Sequence, residues 1–489
     1  MAEAVLGVDL GTTATKVIAV DRNARVLFSA EHGYPLHTTP SGEATHDPLQ
    51  VLDAALLALR EVAAWCASSG VEVAALSLTG AMHTLLAVDA EGTPLTESLS
   101  WADNRATEQT AMLRGTVEGA ALHQATGTPI HPFAPLSKLA WFTRHSPELA
   151  SSARWCGLKD FVGYRLTGRF ATEHSSASGT GLMDIHRLAW HPESLEFAGI
   201  SARQLPELLA PTDSAPLVAD VPGLPAGLPV VMGGGDGPLA NLGVGAVLPG
   251  VAALSLGTSG ALRVVRDRPG VDERGRVFCY AIAEGLWVLG GAVSNGGVVA
   301  QWAADTFGAD VGALLTEAAE VPVGADGLMA LPYLLAERAP WWDPDPRATL
   351  IGLRREHGRA EITRALVEGV GQQLALVLDA VRSAEARVDS IRVTGGAFRS
   401  DLWAVVLASA LGMDLELADD SEGSGVGAAL VAWRALGAFP SLTATADLVV
   451  PTKTIKPDPA AVAHYARTRP LVERAYHALH DLTAELARR

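Results

Sequence analysis

The sequence predicts an α/β protein of two similarly built domains, and three observations carry that expectation. Short apolar runs alternate with segments of helical spacing along 489 residues, the pattern of strands layered with helices. Residues 251–265, VAALSLGTSGALRVV, echo residues 5–20, VLGVDLGTTATKVIAV. Each copy is an apolar strand, a Gly-Thr-(Thr/Ser) turn and a second strand, and the copies lie about half a chain apart. Between them Ala246-Val247-Leu248-Pro249-Gly250 supplies a break, which places the domains at 1–247 and 248–489.

Taken in order, residues 5–8 and 17–20 form the first two strands, joined by Asp9-Leu10-Gly11-Thr12-Thr13-Ala14-Thr15-Lys16. Asp47-Pro48 is a helix N-cap followed by proline at the first helical position. Leu49, Leu52, Leu56, Leu59 and Ala63 continue at helical spacing and predict one buried face. A strand at 73–78 empties into Thr79-Gly80-Ala81-Met82-His83-Thr84, followed by a strand at 85–88 and the turn Asp89-Ala90-Glu91-Gly92. In the second half a strand at 390–393 ends in Thr394-Gly395-Gly396-Ala397 before a helix from Leu402. A polar-faced helix over 460–488 closes the chain.

Composition narrows the function. Residues of type AVILMFWYC make up 48% and charged residues 19%, enough apolar mass for sizeable cores. Fifty-four acids against 37 bases leave a formal charge of −17. No dense basic patch exists to bind nucleic acid or an anionic membrane. Three scattered cysteines form neither a disulfide framework nor a metal spacing. The N-terminus lacks a signal-peptide pattern and the apolar runs are broken before 18 residues, so a cytoplasmic protein is expected. Only five bases are lysines, among them Lys16, Lys138 and Lys159.

Several loops are suited to chemistry. Glycine lets backbone N–H groups approach an anion and Thr or Ser hydroxyls add donors, so the two hairpin turns suit phosphate, with Asp9 placed to hold a hydrated magnesium ion. Either turn is also an ordinary polar hairpin tip. No Gly-Lys dipeptide occurs, which excludes a Walker A loop, and no G-x-S-x-G elbow appears. Asp236 follows an apolar run and three glycines, where a substrate hydroxyl can approach a carboxylate closely, as a general base requires. The same residues equally make a glycine-rich turn. Gly395-Gly396 suits a nucleobase or ribose, or tight packing. Trp101-Ala102-Asp103-Asn104-Arg105 offers a ring, a carboxylate, an amide and a guanidinium for a polyhydroxylated ligand, or a helix start capped by Asp103.

Two longer patterns identify a family resemblance. FAPLSKLAWFTRH at 133–145, with Lys138 and Trp141, and ATLIGLRREHGRAEITRALVE at 348–368, with Gly352, Glu361, Ala365 and Glu368, match the two signatures of the FGGY carbohydrate kinases. The chain resembles them over its whole length. The resemblance implies two ribonuclease-H-like domains of the actin/hexokinase/sugar-kinase superfamily, each a five-stranded mixed sheet with helices, and a catalytic cleft between them. It places Asp9 at the metal, and Gly11, Thr12, Thr13 and Lys16 at the transferred phosphate. It places Gly257, Thr258, Ser259, Gly297, Gln301, Gly395, Gly396 and Ser400 on the nucleotide, ATP. It puts the catalytic base on Asp236 and the sugar pocket on Gly80, Met82, His83, Trp101, Asp103, Arg105 and Phe133.

Within the family, residues 80–105, 127–135 and Glu337-Arg338-Ala339-Pro340 look most like bacterial gluconokinases, with xylulokinases next. Around Asp236 the chain reads Gly-Gly-Gly-Asp-Gly-Pro, where gluconokinases more often have a small non-glycine residue and no proline. The activity implied is ATP- and Mg2+-dependent phosphorylation of a terminal sugar hydroxyl, first D-gluconate and next xylulose or another ketose or polyol. A non-catalytic actin-like switch or sugar-sensing pseudokinase is the remote alternative. Arg105, His83, His131, Lys159 and Arg338 are the candidates to meet a substrate carboxylate. A homodimer is the default assembly.

Overall fold

The computed structural model describes residues 2–418 and 423–487. Its first half holds β1 (Ala2–Leu10), β2 (Ala14–Val20), β3 (Val26–Gly33), helix α1 (Pro48–Ser69), β4 (Val71–Gly80), helix α2 (Pro135–His145), β5 (Ser214–Pro216), β6 (Pro229–Gly235) and helix α3 (Asp236–Gly243). The second half holds β7 (Val251–Leu256), β8 (Gly260–Arg266), β9 (Phe278–Ala281), β10 (Trp287–Val293), α4 (Val298–Phe307), α5 (Val311–Ala319), α6 (Arg359–Ser383), β11 (Ser390–Thr394), α7 (Asp401–Leu411), β12 (Leu415–Leu417), α8 (Gly423–Ala435), β13 (Lys453–Ile455) and α9 (Pro459–Ala487). Arg488, the expected end of the last helix, lies outside the described residues.

The repeat seen in sequence is a repeat of topology. In the first sheet the order is β5-β6-β4-β1-β2-β3, and in the second β9-β10-β8-β7-β11-β12-β13. Both contain the same five-strand unit: three antiparallel neighbours, then two strands parallel to the first. The expected count of five is therefore the shared core only. One antiparallel edge strand, β5, extends the first sheet, and β9 and β13 extend the two edges of the second.

The strands around the first turn are longer than their apolar runs. Asp9 and Lys16 are a cross-strand pair inside the β1–β2 ladder, so the turn shrinks to Gly11-Thr12-Thr13, closed by the Gly11 amide donating to the Ala14 carbonyl at 3.0 Å. Helix α1 begins as its sequence dictates. Asp47 caps it by accepting from the Leu49 amide, and Gly70 ends it in the left-handed region. Its buried stripe runs through Val51, Leu52, Ala55, Ala58, Leu59 and Val62, while Leu49 is exposed. Among the described residues no helix is long and apolar enough to cross a membrane.

Alternation along β1 sorts its two faces. Leu6, Val8 and Leu10 join the core that α1 covers, while Val5 joins the core shared with the second half. On that second face Gly7 admits the backbone of α8: a Cβ there would lie 2.4 Å from the Gly425 carbonyl oxygen. Helix α8 thus belongs to the second half by sequence and packs on the first sheet and on α3. The α3–α8 crossing is backbone-close, because a Cβ at Gly427 would stand 2.0 Å from the Leu239 carbonyl oxygen. Gly427→Val therefore lowers stability by at least the ~1–3 kcal/mol of an overpacked core, read as a drop in Tm. A variant with the wild-type Tm contradicts this packing.

Candidate active site

The two halves face each other across a cavity of about 230 Å³. From the first half it is lined by Met82, His83, Trp101, Phe133 and Asp236, and from the second by Ser259, Ala261, Arg263, Tyr280, Arg338 and Trp342, among others. A second, larger cleft of about 770 Å³ lies in the second half, lined by Gly257, Thr258, Gly297, Gly396, Ser400 and an apolar shelf from α5, including Leu315 and Ala319. The turn Gly257-Thr258-Ser259 is the wall between them. Gly257 and Thr258 face the large cleft, and Ser259 faces the small cavity.

Asp236 is the first residue of α3. β6 delivers it there through Gly233, whose φ of +70° no other residue adopts cheaply and whose Cβ would collide with the Leu78 carbonyl. The Gly237 amide donates to its Oδ1 at 2.7 Å, and the Met82 amide also bonds it. Burial pushes the carboxyl above the usual aspartate range, and the opposing Arg263 guanidinium and these amides pull it back.

His83 sits at φ +65° with Nδ1 donating to the Gly179 carbonyl at 2.7 Å. Burial drives its pKa down to about 3, so the ring is neutral at pH 7 and Nε2 is left as an acceptor. Its ring packs on Phe133 with centroids 4.2 Å apart. Beneath it lies Lys138 of α2, wholly buried, whose Nζ donates to the carbonyls of His83 and Ser100 at 2.7 Å each. The lysine of the first signature is thus a tie between the His83 loop and the Trp101 loop. Burial brings its pKa down to about 7.

Trp101 connects three parts of the site. Its Nε1 donates to Thr12 Oγ1 of the first hairpin at 3.0 Å, and the Arg338 guanidinium lies over its ring at 5.4 Å from the centroid. Arg338 is itself held by the Val293 carbonyl at 2.8 Å and Ser294 Oγ at 3.3 Å. Glu337, buried and raised to about 7 by that burial, accepts from the Ser294 amide and from Asn295 Nδ2. The pair Glu337-Arg338 therefore links the small cavity to the loop that leads into α4 and the large cleft.

Other residues expected at the site lie elsewhere. Asp103 is fully buried, gripped by Arg105 in two-pronged fashion and by the Ala44 amide. It caps no helix, and neither partner lines the cavity: they brace the Trp101 loop. Gly80 packs against Leu10 at the end of β1. Lys16 pairs with Glu31 of β3 at 2.9 Å, from the strand rather than the turn. Gln301 donates to Asp305 on its own helix, and Gly395 abuts the Leu256 carbonyl; neither lines the large cleft. Among the carboxylate candidates, Lys159 lies between Asp160 and Glu173 at 3.4 Å and His131 stacks on Phe133. Only His83 and Arg338 reach the cavity. Arg263, Phe278, Tyr280 and Trp342 were not foreseen.

Two ligand-sized hollows thus meet at one glycine-and-hydroxyl turn, room for two substrates side by side. The chain belongs to the FGGY family of carbohydrate kinases: the family's N-terminal domain matches residues 4–243 and its C-terminal domain residues 252–436. It is a sugar kinase, and kinases of this family use ATP. The chain is 35% identical to the gluconokinase of Bacillus subtilis strain 168, over 96% of this chain and 95% of that one. The solved gluconate kinase of Lactobacillus acidophilus superposes with a TM-score of 0.92 at 31% identity, covering 98% of both chains. The ligand-bound xylulose kinase of the same organism gives 0.93 at 31% identity, over 99% of this chain and 100% of that one.

Proposed function

We propose that the protein transfers the γ-phosphoryl group of ATP to the terminal hydroxyl of D-gluconate, giving 6-phospho-D-gluconate, with Asp236 as the general base. The observation that carries this reading is the charge balance of the small cavity. Two guanidinium groups, Arg263 and Arg338, face one carboxylate, Asp236, while His83 is neutral. Glu337, next to Arg338 and raised by burial to about 7, balances only part of this charge, and the remainder is positive in a buried space. A sugar-acid monoanion neutralises it, and a neutral ketose does not.

ATP occupies the large cleft, with its phosphates running to the Gly257-Thr258-Ser259 turn. The sugar lies across His83 and Trp101, its terminal hydroxyl on Asp236. As the hydroxyl oxygen bonds to the γ-phosphorus, the bond to the β-bridging oxygen breaks, ADP leaves, and the hydroxyl proton passes to Asp236. Arg263 beside Asp236 favours the ionised base. The stack of Arg338 on Trp101 spans the halves over the cavity and keeps water from the phosphoryl group. Asp9 lies on the β1 face that meets α8, hydrogen-bonded by Ser424. The Asp9 carboxylate there would hold a hydrated magnesium ion; among the described residues no cluster of three or more His, Cys, Asp or Glu exists. When bound, the ion supplies charge neutralisation at the phosphates.

Product analysis tests the reading. With gluconate and ATP, phosphorus and carbon NMR should place the new ester on the terminal carbon. An ester at any other carbon overturns the placement of Asp236.

A further inference from the structure

The geometry points to Arg263 as the residue that receives the substrate's carboxylate and so selects sugar acids over neutral sugars. This rests on the gluconate reading and sharpens it to one side chain. Arg263 sits mid-strand in β8, where the alternation of side chains puts Ala261 and Arg263 on one face, and both line the cavity. β8 leaves the Gly257-Thr258-Ser259 turn, so Arg263 lies about 6–7 Å further from the phosphate end than Ala261.

The two cavity arginines are not equivalent. Arg338 is committed to the Val293 carbonyl, the Ser294 hydroxyl and the Trp101 ring. The Arg263 guanidinium has no hydrogen-bond acceptor among the described residues, yet it is set against the first turn of α3: a Cβ on Gly237 would lie 3.3 Å from its Nε and Nη2. Its backbone is fixed, since Asn241 Nδ2 of α3 donates to the Arg263 carbonyl at 3.2 Å. Nearby, Tyr280 of β9 lines the same cavity with a buried hydroxyl that has no partner among the described residues. A carboxylate between them would take a two-pronged bond from Arg263 and one from Tyr280, satisfying groups the protein leaves open.

Arg263 also faces Asp236, so a role confined to keeping the base ionised has to be separated from recognition. The test compares D-gluconate with D-glucitol, the same six-carbon chain with an alcohol in place of the carboxylate, at alkaline pH where Asp236 is ionised in every variant. Arg263→Gln should lower the ratio of kcat/KM for gluconate over glucitol by about 10- to 100-fold, mostly through KM for gluconate. Arg263→Lys should recover part of it, because charge returns without the planar fork. If Arg263→Gln is poorly folded, the thermal shift given by gluconate without ATP, strong in wild type and weaker in Arg263→Lys, decides instead. An unchanged ratio, with kcat lowered equally for both substrates, overturns the carboxylate role while leaving the gluconate reading intact. A wild-type enzyme that accepts neutral polyols and no sugar acid overturns both.

Discussion

Asp236→Asn lowers kcat by about 10²- to 10⁴-fold, the range of a positioned general base, while KM for the sugar changes within a few-fold. Asparagine keeps the shape and still accepts from the Gly237 amide that bonds Asp236 at 2.7 Å, so the cavity persists and only the proton acceptor is lost. The pH dependence follows with a definite sign. The base works ionised, and burial holds its carboxyl above the usual aspartate value. Activity therefore falls on the acid side through an apparent pKa higher than that of an exposed aspartate. Removing Arg263, which opposes that shift, moves the limb to still higher pH. Steady-state assays with coupled ADP detection across pH give both results, and full turnover by Asp236→Asn removes it from the mechanism.

Lys138→Met produces the second large effect, and it acts on folding and binding together. The lysine is buried and donates to two carbonyls that belong to different sugar-side loops, His83 and Ser100. Methionine fills the volume and leaves the His83 carbonyl without a donor, at about 1–3 kcal/mol, while the Ser100 carbonyl keeps only the Asp103 amide at 3.2 Å. Tm should drop, and KM for the sugar should rise more than kcat falls, because His83 and Trp101 lose their common anchor. A variant with wild-type Tm and KM shows that the tie is dispensable.

How much of this was legible in the sequence depends on range. The hairpins, α1 with its Asp47 cap, and the glycine-flanked Asp236 are local patterns, and local sequence dictates them. Asp103 and Arg105 bond each other rather than line the small cavity, because a carboxylate two residues from a guanidinium satisfies itself, a pairing that only the buried geometry reveals. Gln301 finds Asp305 one helical turn away. Arg263 was invisible for the opposite reason. In Ala-Leu-Arg-Val-Val it is a lone base in an apolar strand, and nothing local tells which face it takes or that α3 will stand opposite. Tyr280, on β9, reaches the cavity only because that extra strand forms the edge of the second sheet. The net charge of −17 likewise gave no hint that two guanidinium groups, Arg263 and Arg338, line the small cavity; a global charge does not fix the local field.

An acidic sugar, gluconate, is the proposed acceptor. The most direct measurement is coupled ADP release by the purified protein with ATP and magnesium, comparing D-gluconate, D-xylulose and D-glucitol against a sugar-free blank. Release should depend on sugar, with kcat/KM for gluconate at least tenfold above the others. A preference for xylulose, or slow ATP hydrolysis indifferent to sugar, contradicts it.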